Sequence, residues 1–261
     1  MQKKKIINYI LIITSFYVLF GLFLFFAQKS FIYYPNSENF DNCNGFFDYE
    51  KIYFNNTRFY LKQKNNENVI IYYHGNAGSA CDRSNLKFIF EKSNYSLIFV
   101  EYAGYSNDSQ KPSIDLILND VQNINHYIVQ NEYKNVTIYA ESIGSAMASY
   151  HAFLGNVDNL VLINPFSRLE DVAQSKFPIY PTRFFLTEKY DNIKWLKEYN
   201  SSLLIIHAEN DIVIPKKFSE DLFKNIKHAN KNYIIIKNAE HNNIWQKESF
   251  QNIIIDNLKN D

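Results

Sequence analysis

The pattern of apolar positions divides the chain into a long uncharged run at the N-terminus and a body of shorter alternating segments. The run covers residues 6–27, which is long enough to cross about 30 Å of hydrocarbon as a helix. Three lysines at positions 3–5 precede it, and only Lys29 lies close behind it. This asymmetry predicts an uncleaved anchor with a cytoplasmic N-terminus, so that the body faces the periplasm or the exterior. A cleaved signal peptide is the alternative, although its apolar core is ordinarily shorter.

Behind the anchor, apolar runs of strand length alternate with segments of helical periodicity. Eight strands are predicted, at 46–54, 58–62, 69–73, 97–100, 135–139, 160–163, 203–206 and 233–236. The first two form an antiparallel pair, and helices are predicted at 83–91, from Pro112 onward, after Ser145 and at 244–258. This alternation indicates an α/β fold with a mostly parallel, doubly wound sheet and helices on both faces. We expect residues 1–29 to form the anchor and residues 30–261 a single domain.

The composition excludes some kinds of partner. The 27 basic and 27 acidic residues balance, and no basic stripe stands out beyond the N-terminal lysines, so we expect no nucleic-acid partner. Cys43 and Cys81 lack the spacing of a metal site, and we expect no bound metal. The two cysteines form either a disulfide, which an oxidising compartment would allow, or two buried thiols. The sequence assigns no oligomeric state.

A pentapeptide from Ala140 to Gly144 lies between a predicted buried strand and a helix that begins with small residues. Ser142 at its centre, with a small residue two positions away on either side, is typical of a nucleophile elbow. The turn is so tight that glycine is usual at both flanking positions, and Ala140 departs from that pattern. The alternative is an ordinary helix N-cap, which serine often supplies.

Further polar residues follow other predicted strands, and the carboxyl ends of parallel strands meet along one edge of a sheet. Asn76 and Ala77 follow the third predicted strand, Asp211 follows the seventh, and His241 follows the eighth. A nucleophile, an acid and a base therefore occur in the chain order Ser142, Asp211, His241. This order is the one found in hydrolases that carry a nucleophile elbow on a doubly wound sheet.

Together these motifs resemble those of the α/β-hydrolase superfamily, and most closely its membrane-anchored group, which includes eukaryotic protein depalmitoylases and their bacterial relatives. The resemblance runs from about Phe31 to the C-terminus and implies the α/β-hydrolase fold. It is carried by Phe31-Ile32-Tyr33-Tyr34-Pro35, Tyr73-His74-Gly75-Asn76-Ala77-Gly78-Ser79, Glu101-Tyr102-Ala103-Gly104-Tyr105-Ser106, Asn164-Pro165-Phe166-Ser167, the segment 206–215 and Ala239-Glu240-His241-Asn242-Asn243. Ala140, Ala103 and Glu240 depart from the pattern of the family, but none of them replaces a member of the catalytic set.

The resemblance and the chemistry of such sets assign roles to six residues. Ser142 attacks a carbonyl carbon, His241 removes and returns the proton, and Asp211 orients and stabilises the imidazole. The backbone N–H groups that hold the oxyanion come from Ile143 and from either Asn76 or Ala77. Water is the second substrate, so we expect no cofactor.

Residues 166–199 lie between two predicted strands, where this fold often carries a lid. Their aromatic stretch 177–186 either covers an acyl pocket or packs on the sheet. Because a membrane anchor lies nearby, we expect a small-molecule or lipid-like acyl ester or thioester as substrate. The alternatives are amide hydrolysis, as in peptidase relatives, and a membrane-tethered binding module without catalysis. A body that faces the cytoplasm, as in the eukaryotic relatives, is a further alternative.

Several residues have competing interpretations. Taken alone, Asp211 would be the cap of the following helix and His241 a loop histidine, and Glu209 is a second candidate acid. His74 is expected to support its loop by hydrogen bonding, and Glu141 is expected to be exposed. The other histidines are expected to pack in the core or lie at the surface: His126, His151, His207 and His228.

Overall fold

The computed structural model describes residues 2–64, 67–227 and 230–260. These residues hold ten strands: β1 (Tyr34–Pro35), β2 (Glu50–Phe54), β3 (Thr57–Lys62), β4 (Asn68–Tyr73), β5 (Ala77–Gly78), β6 (Ser96–Glu101), β7 (Asn135–Glu141), β8 (Asn159–Ile163), β9 (Ser202–Ala208) and β10 (Lys231–Ile236). They also hold nine α-helices: α1 (Gln2–Ile32), α2 (Lys87–Phe90), α3 (Ile114–Gln130), α4 (Gly144–Leu154), α5 (Leu169–Lys176), α6 (Thr182–Phe185), α7 (Asn192–Trp195), α8 (Lys217–Asn225) and α9 (Glu248–Asn260).

The main sheet has eight strands in the order β10-β9-β8-β7-β4-β6-β3-β2. Strands β4 and β6 to β10 run parallel to one another, whereas β3 pairs antiparallel with both β6 and β2. The predictions of a mostly parallel sheet and of an antiparallel pair formed by the first two predicted strands are therefore confirmed. Strands β1 and β5 form a separate parallel pair, which joins the end of α1 to the loop behind β4.

Two hydrophobic clusters cover the two faces of this sheet, as expected for a doubly wound fold. Successive side chains of a strand point to opposite faces, and in β4 Ile71 belongs to one cluster whereas Ile70 and Tyr72 belong to the other. Helix α3 packs on the first face through residues such as Val121, and α9 packs on the second through residues such as Ile254. The apolar runs of the sequence were continuous because both faces of the central strands are buried.

The N-terminal helix α1 is 31 residues long and extends three residues beyond the predicted anchor. Within the described part of the chain it is the one helix that is long and apolar enough to cross a membrane. None of its residues is buried in the protein. The predicted apolar N-terminal helix is therefore confirmed in length and composition.

Two predicted helices differ in detail from the observed ones. The helix expected from Pro112 begins two residues later, because the Ser113 hydroxyl caps it by accepting a backbone N–H from the first turn. The helix expected at 244–258 is divided into a 3₁₀ turn (Ile244–Gln246) and α9, because the backbone of Lys247 is extended. Neither change moves a predicted site residue.

Cys43 and Cys81 form a disulfide, which resolves the choice that the sequence left open. The bond ties the segment before β2 to a 3₁₀ turn (Cys81–Leu86) that continues into α2, where the sequence predicts one helix at 83–91. The segment 166–199 forms three short helices, α5 to α7, as expected for a helical insertion.

Candidate active site

Ser142 lies in the turn between β7 and α4, with a φ of 54°. This left-handed conformation is uncommon for residues other than glycine, and strain of this kind is found at functional turns. The Ser142 N–H donates to the Ile163 carbonyl at 2.9 Å, which fixes the turn against β8. A Cβ at Gly144 would lie 2.6 Å from the His74 carbonyl oxygen and closer still to that of Tyr73, so this position requires glycine.

Ala140, the departure from the usual glycine, is fully buried and belongs to the hydrophobic core. Its backbone is part of β7 and pairs with β4 and β8 in regular register. The extra methyl group therefore fits the strand that leads into the turn.

The structure brings Ser142, His241 and Asp211 into one chain of hydrogen-bonding contacts. His241 Nε2 lies 3.1 Å from Ser142 Oγ, and His241 Nδ1 lies 2.6 Å from Asp211 Oδ2. An ionised carboxylate only accepts hydrogen bonds, so the Nδ1–H donates to Asp211 and Nε2 is left to accept the serine proton. This is the tautomer that a general base requires.

Asp211 also caps the turn that follows β9. Its Oδ1 accepts the N–H groups of Val213 and Ile214, both at 2.8 Å, while Oδ2 faces His241. The sequence offered a cap of the following helix as the alternative role, but Asp211 caps the turn before that helix. This cap and the contact with the imidazole are made by different oxygens of one carboxylate. Its side chain is fully buried, which shields these contacts from water.

Asn164 holds together the turns that carry the acid and the base. It lies directly behind β8 with a φ of 47°, its Oδ1 accepts the Ala208 N–H at 2.8 Å, and its Nδ2 donates to the His241 carbonyl at 3.3 Å. The polar ends of β8, β9 and β10 therefore meet at one edge of the sheet, as the topology predicts.

Two of the predicted oxyanion donors lie beside Ser142. Asn76 and Ile143 line the same cavity as Ser142. Within residues 2–64, 67–227 and 230–260, the backbone N–H groups of Asn76 and Ile143 donate no hydrogen bond. Ala77 is exposed, lies in β5 and lines a different cavity from Ile143. Asn76 is therefore the better placed of the two candidates that the sequence offered for the second donor.

His74 supports this loop, as the sequence predicted. It is fully buried, stacks on Tyr102 with ring centres 4.0 Å apart, and its Nδ1 donates to the Gly75 carbonyl at 2.7 Å. Its Nε2 lies 3.5 Å from Glu101, whose other oxygen accepts the Ser106 hydroxyl. The sequence did not identify Glu101 as a residue that supports this loop, because its partners lie on separate loops.

The prediction that Glu141 is exposed is wrong, because its side chain is 12% exposed and has three hydrogen-bond donors. Arg83 Nε donates at 2.6 Å, Trp245 Nε1 at 2.7 Å and the Gly75 N–H at 3.1 Å. Burial raises the pKa of this carboxyl, but Arg83 and the other donors outweigh burial and hold the pKa below its ordinary value. Glu141 thus joins the turn that carries Ser142 to the loop that carries Asn76.

The remaining candidates do not contact Ser142. His207 is buried and its Nε2 donates to the Ile214 carbonyl, and burial lowers its pKa. His151 is buried against Tyr73, and burial lowers its pKa to about 3. Glu209 accepts the backbone N–H of the turn behind β10 at 2.9 Å. His126 is exposed, and His228 lies outside the described residues.

Two cavities meet at Ser142. The first, of about 250 Å³, lies between α1 and the 166–199 insertion and is lined mostly by apolar side chains. The second, of about 1020 Å³, opens on the other side of Ser142 and is rich in polar groups, among them Arg83, Glu141, Asn164, His241, Gln246 and Gln251. In the part of the chain that the structure describes, no cluster of three His, Cys, Asp or Glu side chains could hold a metal ion.

Solved structures with the same arrangement of strands are α/β hydrolases. An esterase of Pyrococcus furiosus matches with a TM-score of 0.67 and 13% identity, covering 88% of this chain and 97% of that one. A predicted CIB-like hydrolase of Thermoplasma acidophilum matches with a TM-score of 0.61 and 21% identity, covering 81% of this chain and 97% of that one. The chain has the α/β-hydrolase fold. No family model matches the sequence.

Curated proteins with related sequences match part of this chain. An uncharacterized protein of Mycobacterium tuberculosis is 24% identical over 177 residues, which cover 67% of this chain and 63% of that protein. The lysophosphatidylserine lipase ABHD12 of Xenopus tropicalis is 28% identical over 183 residues, covering 59% of this chain and 46% of the lipase. The chain thus spans less than two thirds of either relative.

Proposed function

We propose that this protein is a membrane-anchored serine hydrolase that cleaves an acyl ester or thioester through an acyl-enzyme. Ser142 is the nucleophile, His241 the general base and acid, and Asp211 the residue that orients the imidazole. The observation that carries the proposal is the contact chain from Ser142 Oγ through His241 to Asp211, at 3.1 and 2.6 Å. It lies where an apolar and a polar cavity meet.

The proposed reaction begins when Ser142 Oγ attacks the acyl carbonyl carbon as its proton moves to His241 Nε2. The carbonyl oxygen becomes an oxyanion. The hydrogen-bond donors proposed for it are the N–H groups of Ile143 and Asn76. A single donor of this kind is worth about 10²–10³ in turnover. The bond to the leaving oxygen or sulfur then breaks, and His241 returns the proton to it. Water repeats the attack on the acyl-enzyme and releases the acid.

The two cavities support an acyl substrate with a polar leaving group. The apolar cavity suits an acyl chain, because burial of each methylene contributes about 0.8 kcal/mol. The cavity on the other side of Ser142 offers Arg83, Gln246 and Gln251 as polar groups for an alcohol or thiol portion. An ester or thioester placed with its carbonyl carbon at Ser142 Oγ would have each half in a cavity of matching polarity.

The proposed location is a membrane, with α1 as a single span and the lysines at 3–5 on the cytoplasmic side. The disulfide between Cys43 and Cys81 supports a body outside the cytoplasm, because such bonds persist in oxidising compartments. A terminal alkaline phosphatase fusion, which is active only outside the cytoplasm, tests this orientation. An inactive fusion would favour a body that faces the cytoplasm.

The catalytic proposal is tested with a fluorophosphonate probe on the full chain in detergent. We expect the probe to label wild-type protein and not Ser142→Ala. The matched control is Ser149→Ala, in the same helix, whose hydroxyl donates only to the Ser145 carbonyl and should be dispensable. Failure to label wild-type protein would contradict the enzyme and favour a membrane-tethered binding module.

A substrate panel then separates the reaction classes. Purified protein is assayed on p-nitrophenyl esters of several chain lengths, on acyl thioesters and on aminoacyl amides. We expect hydrolysis of the esters or thioesters and at least tenfold less of the amides. Cleavage of amides without cleavage of esters would show a peptidase or amidase on the same fold and would contradict the proposed substrate class.

A further inference from the structure

One face of α1 forms a wall of the apolar cavity at Ser142. Its residues recur at spacings of three and four, as required for one helix face: Gly21, Leu24, Phe25, Gln28, Phe31 and Ile32. From Gly21 to Ile32 this wall is about 16 Å long at 1.5 Å per residue. The 166–199 insertion supplies the opposite wall through residues such as Phe177 and Tyr180, and Ser142 lies in the same cavity.

We propose that α1 is both the anchor and one wall of the acyl-binding cavity, and that this cavity receives the acyl chain of a membrane lipid from the adjacent leaflet. Gly21 marks the end of the cavity that lies deepest in the membrane and limits the length of chain that fits. The chemistry at Ser142 rests on the proposed function, whereas the binding of the chain does not.

Direct contacts hold α1 against the insertion near Gly21. The rings of Tyr17 and Tyr180 stack with centres 4.6 Å apart. Tyr17 Oη donates to the Ile179 carbonyl at 2.8 Å, and Tyr180 Oη donates to the Tyr17 carbonyl at 3.2 Å. One of these two hydrogen bonds is accepted by a carbonyl of α1 and the other by a carbonyl of the insertion. Together they fix the distance between the two walls of the cavity near Tyr17.

A second set of contacts fixes the other end of the wall. The buried carboxylate of Glu188 accepts the Tyr33 hydroxyl at 2.5 Å and the Ile114 N–H at 2.6 Å, and it lies 3.4 Å from Lys29 Nζ. Loss of such partners from a buried carboxylate is costly, because the charge would be left uncompensated. The end of α1 is therefore held in one register against the insertion and α3.

The end of α1 is also bonded to the loop beside the nucleophile. Asn76 Nδ2 donates to the Ile32 carbonyl at 3.0 Å, and the Tyr34 N–H donates to the Asn76 carbonyl at 3.2 Å. The helix that walls the cavity thus also fixes the residue whose N–H is a proposed oxyanion donor.

The depth at which the cavity lies in the membrane indicates that its occupant is the acyl chain of a lipid. The uncharged run 6–27 lies in the hydrocarbon when α1 spans it, so Gly21 lies about 9 Å inside that run. The tip of the insertion beside it exposes apolar side chains to the surroundings: Ile179 is 69% exposed and Phe184 is 85% exposed. An exposed apolar tip next to a membrane helix suits insertion into lipid. A chain that enters here comes from the leaflet rather than from water.

Gly21 keeps the deep end of the cavity open. A Cβ at this position would lie 3.2 Å from the ring of Tyr180, closer than nearly all real contacts of that kind. A larger side chain would have to extend along the cavity that Gly21 lines. Leu19 lies on the opposite face of the helix, is 65% exposed and does not line the cavity, so it serves as the matched position.

The test compares Gly21→Phe with Leu19→Phe in the full chain, reconstituted in phosphatidylcholine vesicles. For each variant we measure kcat/KM for p-nitrophenyl palmitate and for p-nitrophenyl butyrate, and we divide the palmitate value by the butyrate value. We expect this ratio to fall at least about tenfold in Gly21→Phe, as differences of a few methylenes in a pocket can produce, and to stay unchanged in Leu19→Phe. An unchanged ratio in Gly21→Phe would overturn the inference while ester cleavage kept the proposed function intact.

A second measurement does not depend on catalysis. A photoreactive fatty acid is cross-linked to Ser142→Ala protein, with excess palmitate as competitor. We expect labelling that palmitate suppresses, its loss when Gly21→Phe is added, and its retention when Leu19→Phe is added. This result would support the cavity even if wild-type protein hydrolysed no ester and the proposed function failed. Competable labelling that survives Gly21→Phe would overturn the inference.

Discussion

The carboxylate of Glu141 joins three separate segments beside Ser142, and Glu141→Gln tests how much it stabilises them. The substitution keeps the length of the side chain but removes its charge. The ionised carboxylate accepts from Arg83, Trp245 and the Gly75 N–H. A glutamine places an NH₂ group against one of these donors and leaves Arg83 without a counter-ion.

The size of the effect follows from burial. Removing one partner of a buried ion pair ordinarily costs about 3–5 kcal/mol. Because the Arg83 side chain is 26% exposed, water solvates part of the unpaired charge, and we expect a loss of about 2–3 kcal/mol. For a chain of this size that loss lowers Tm by roughly 4–12 °C. The exposed neighbour of His241 provides the control Glu240→Gln, which should change stability by less than about 0.5 kcal/mol.

The dependence on pH gives this prediction a second signature. The folded-state pKa of Glu141 lies below its ordinary value of 4.5, so its contribution to stability is present above pH 4.5 and is lost as pH falls through the folded pKa. Thermal unfolding of the full chain in detergent, followed by tryptophan fluorescence, should show a gap between wild type and Glu141→Gln that narrows below pH 4.5. Equal Tm values for Glu141→Gln and Glu240→Gln at pH 7 would refute the reasoning.

Three further predictions test the turn, the disulfide and the core. Gly144→Ala should cost more than about 2 kcal/mol and abolish fluorophosphonate labelling, because its Cβ meets two backbone carbonyls; retained labelling would contradict this. Cys43→Ser should cost about 2–4 kcal/mol in thermal unfolding, and a wild type that reductant leaves unchanged would argue against the bond. Burial raises the pKa of Asp120 to about 7, so the unfolded chain loses this proton first and stability should fall from about pH 4 to 7. Asp120→Asn should remove that decline, as unfolding titrations would reveal.

The fold could be predicted because its signals are local. Each central strand is buried on both faces and therefore appears in the sequence as a continuous apolar run, and α3 shows its buried face at regular spacing. The order of the strands in the sheet could not be predicted in the same way, because it is not a local property of the sequence. The place of β4 between β6 and β7 depends on crossovers that only the packed sheet determines.

The meeting of Ser142, Asp211 and His241 at one edge of the sheet was likewise predictable, since each lies within five residues of the end of a strand. The contacts that support these residues could not be predicted from the sequence. Glu141 was expected to face water, yet its partners Arg83 and Trp245 lie 58 and 104 residues away in the chain. A charged residue beside a nucleophile gives no sign of a distant counter-ion, so burial of this kind appears only when the loops are assembled.

The second role of α1 was hidden by the composition of the helix itself. In a soluble helix an apolar stripe stands out against polar positions, but in a membrane helix the face toward lipid and the face toward protein are equally apolar. The informative positions are then the small and polar ones. Tyr17, Gly21 and Gln28 lie on one face of α1, and Tyr17 and Gln28 bond to the insertion. Their shared face indicates a packed side within α1, and the boundary predicted between residues 29 and 30 crosses the contacts that Lys29 and Tyr33 both make with Glu188.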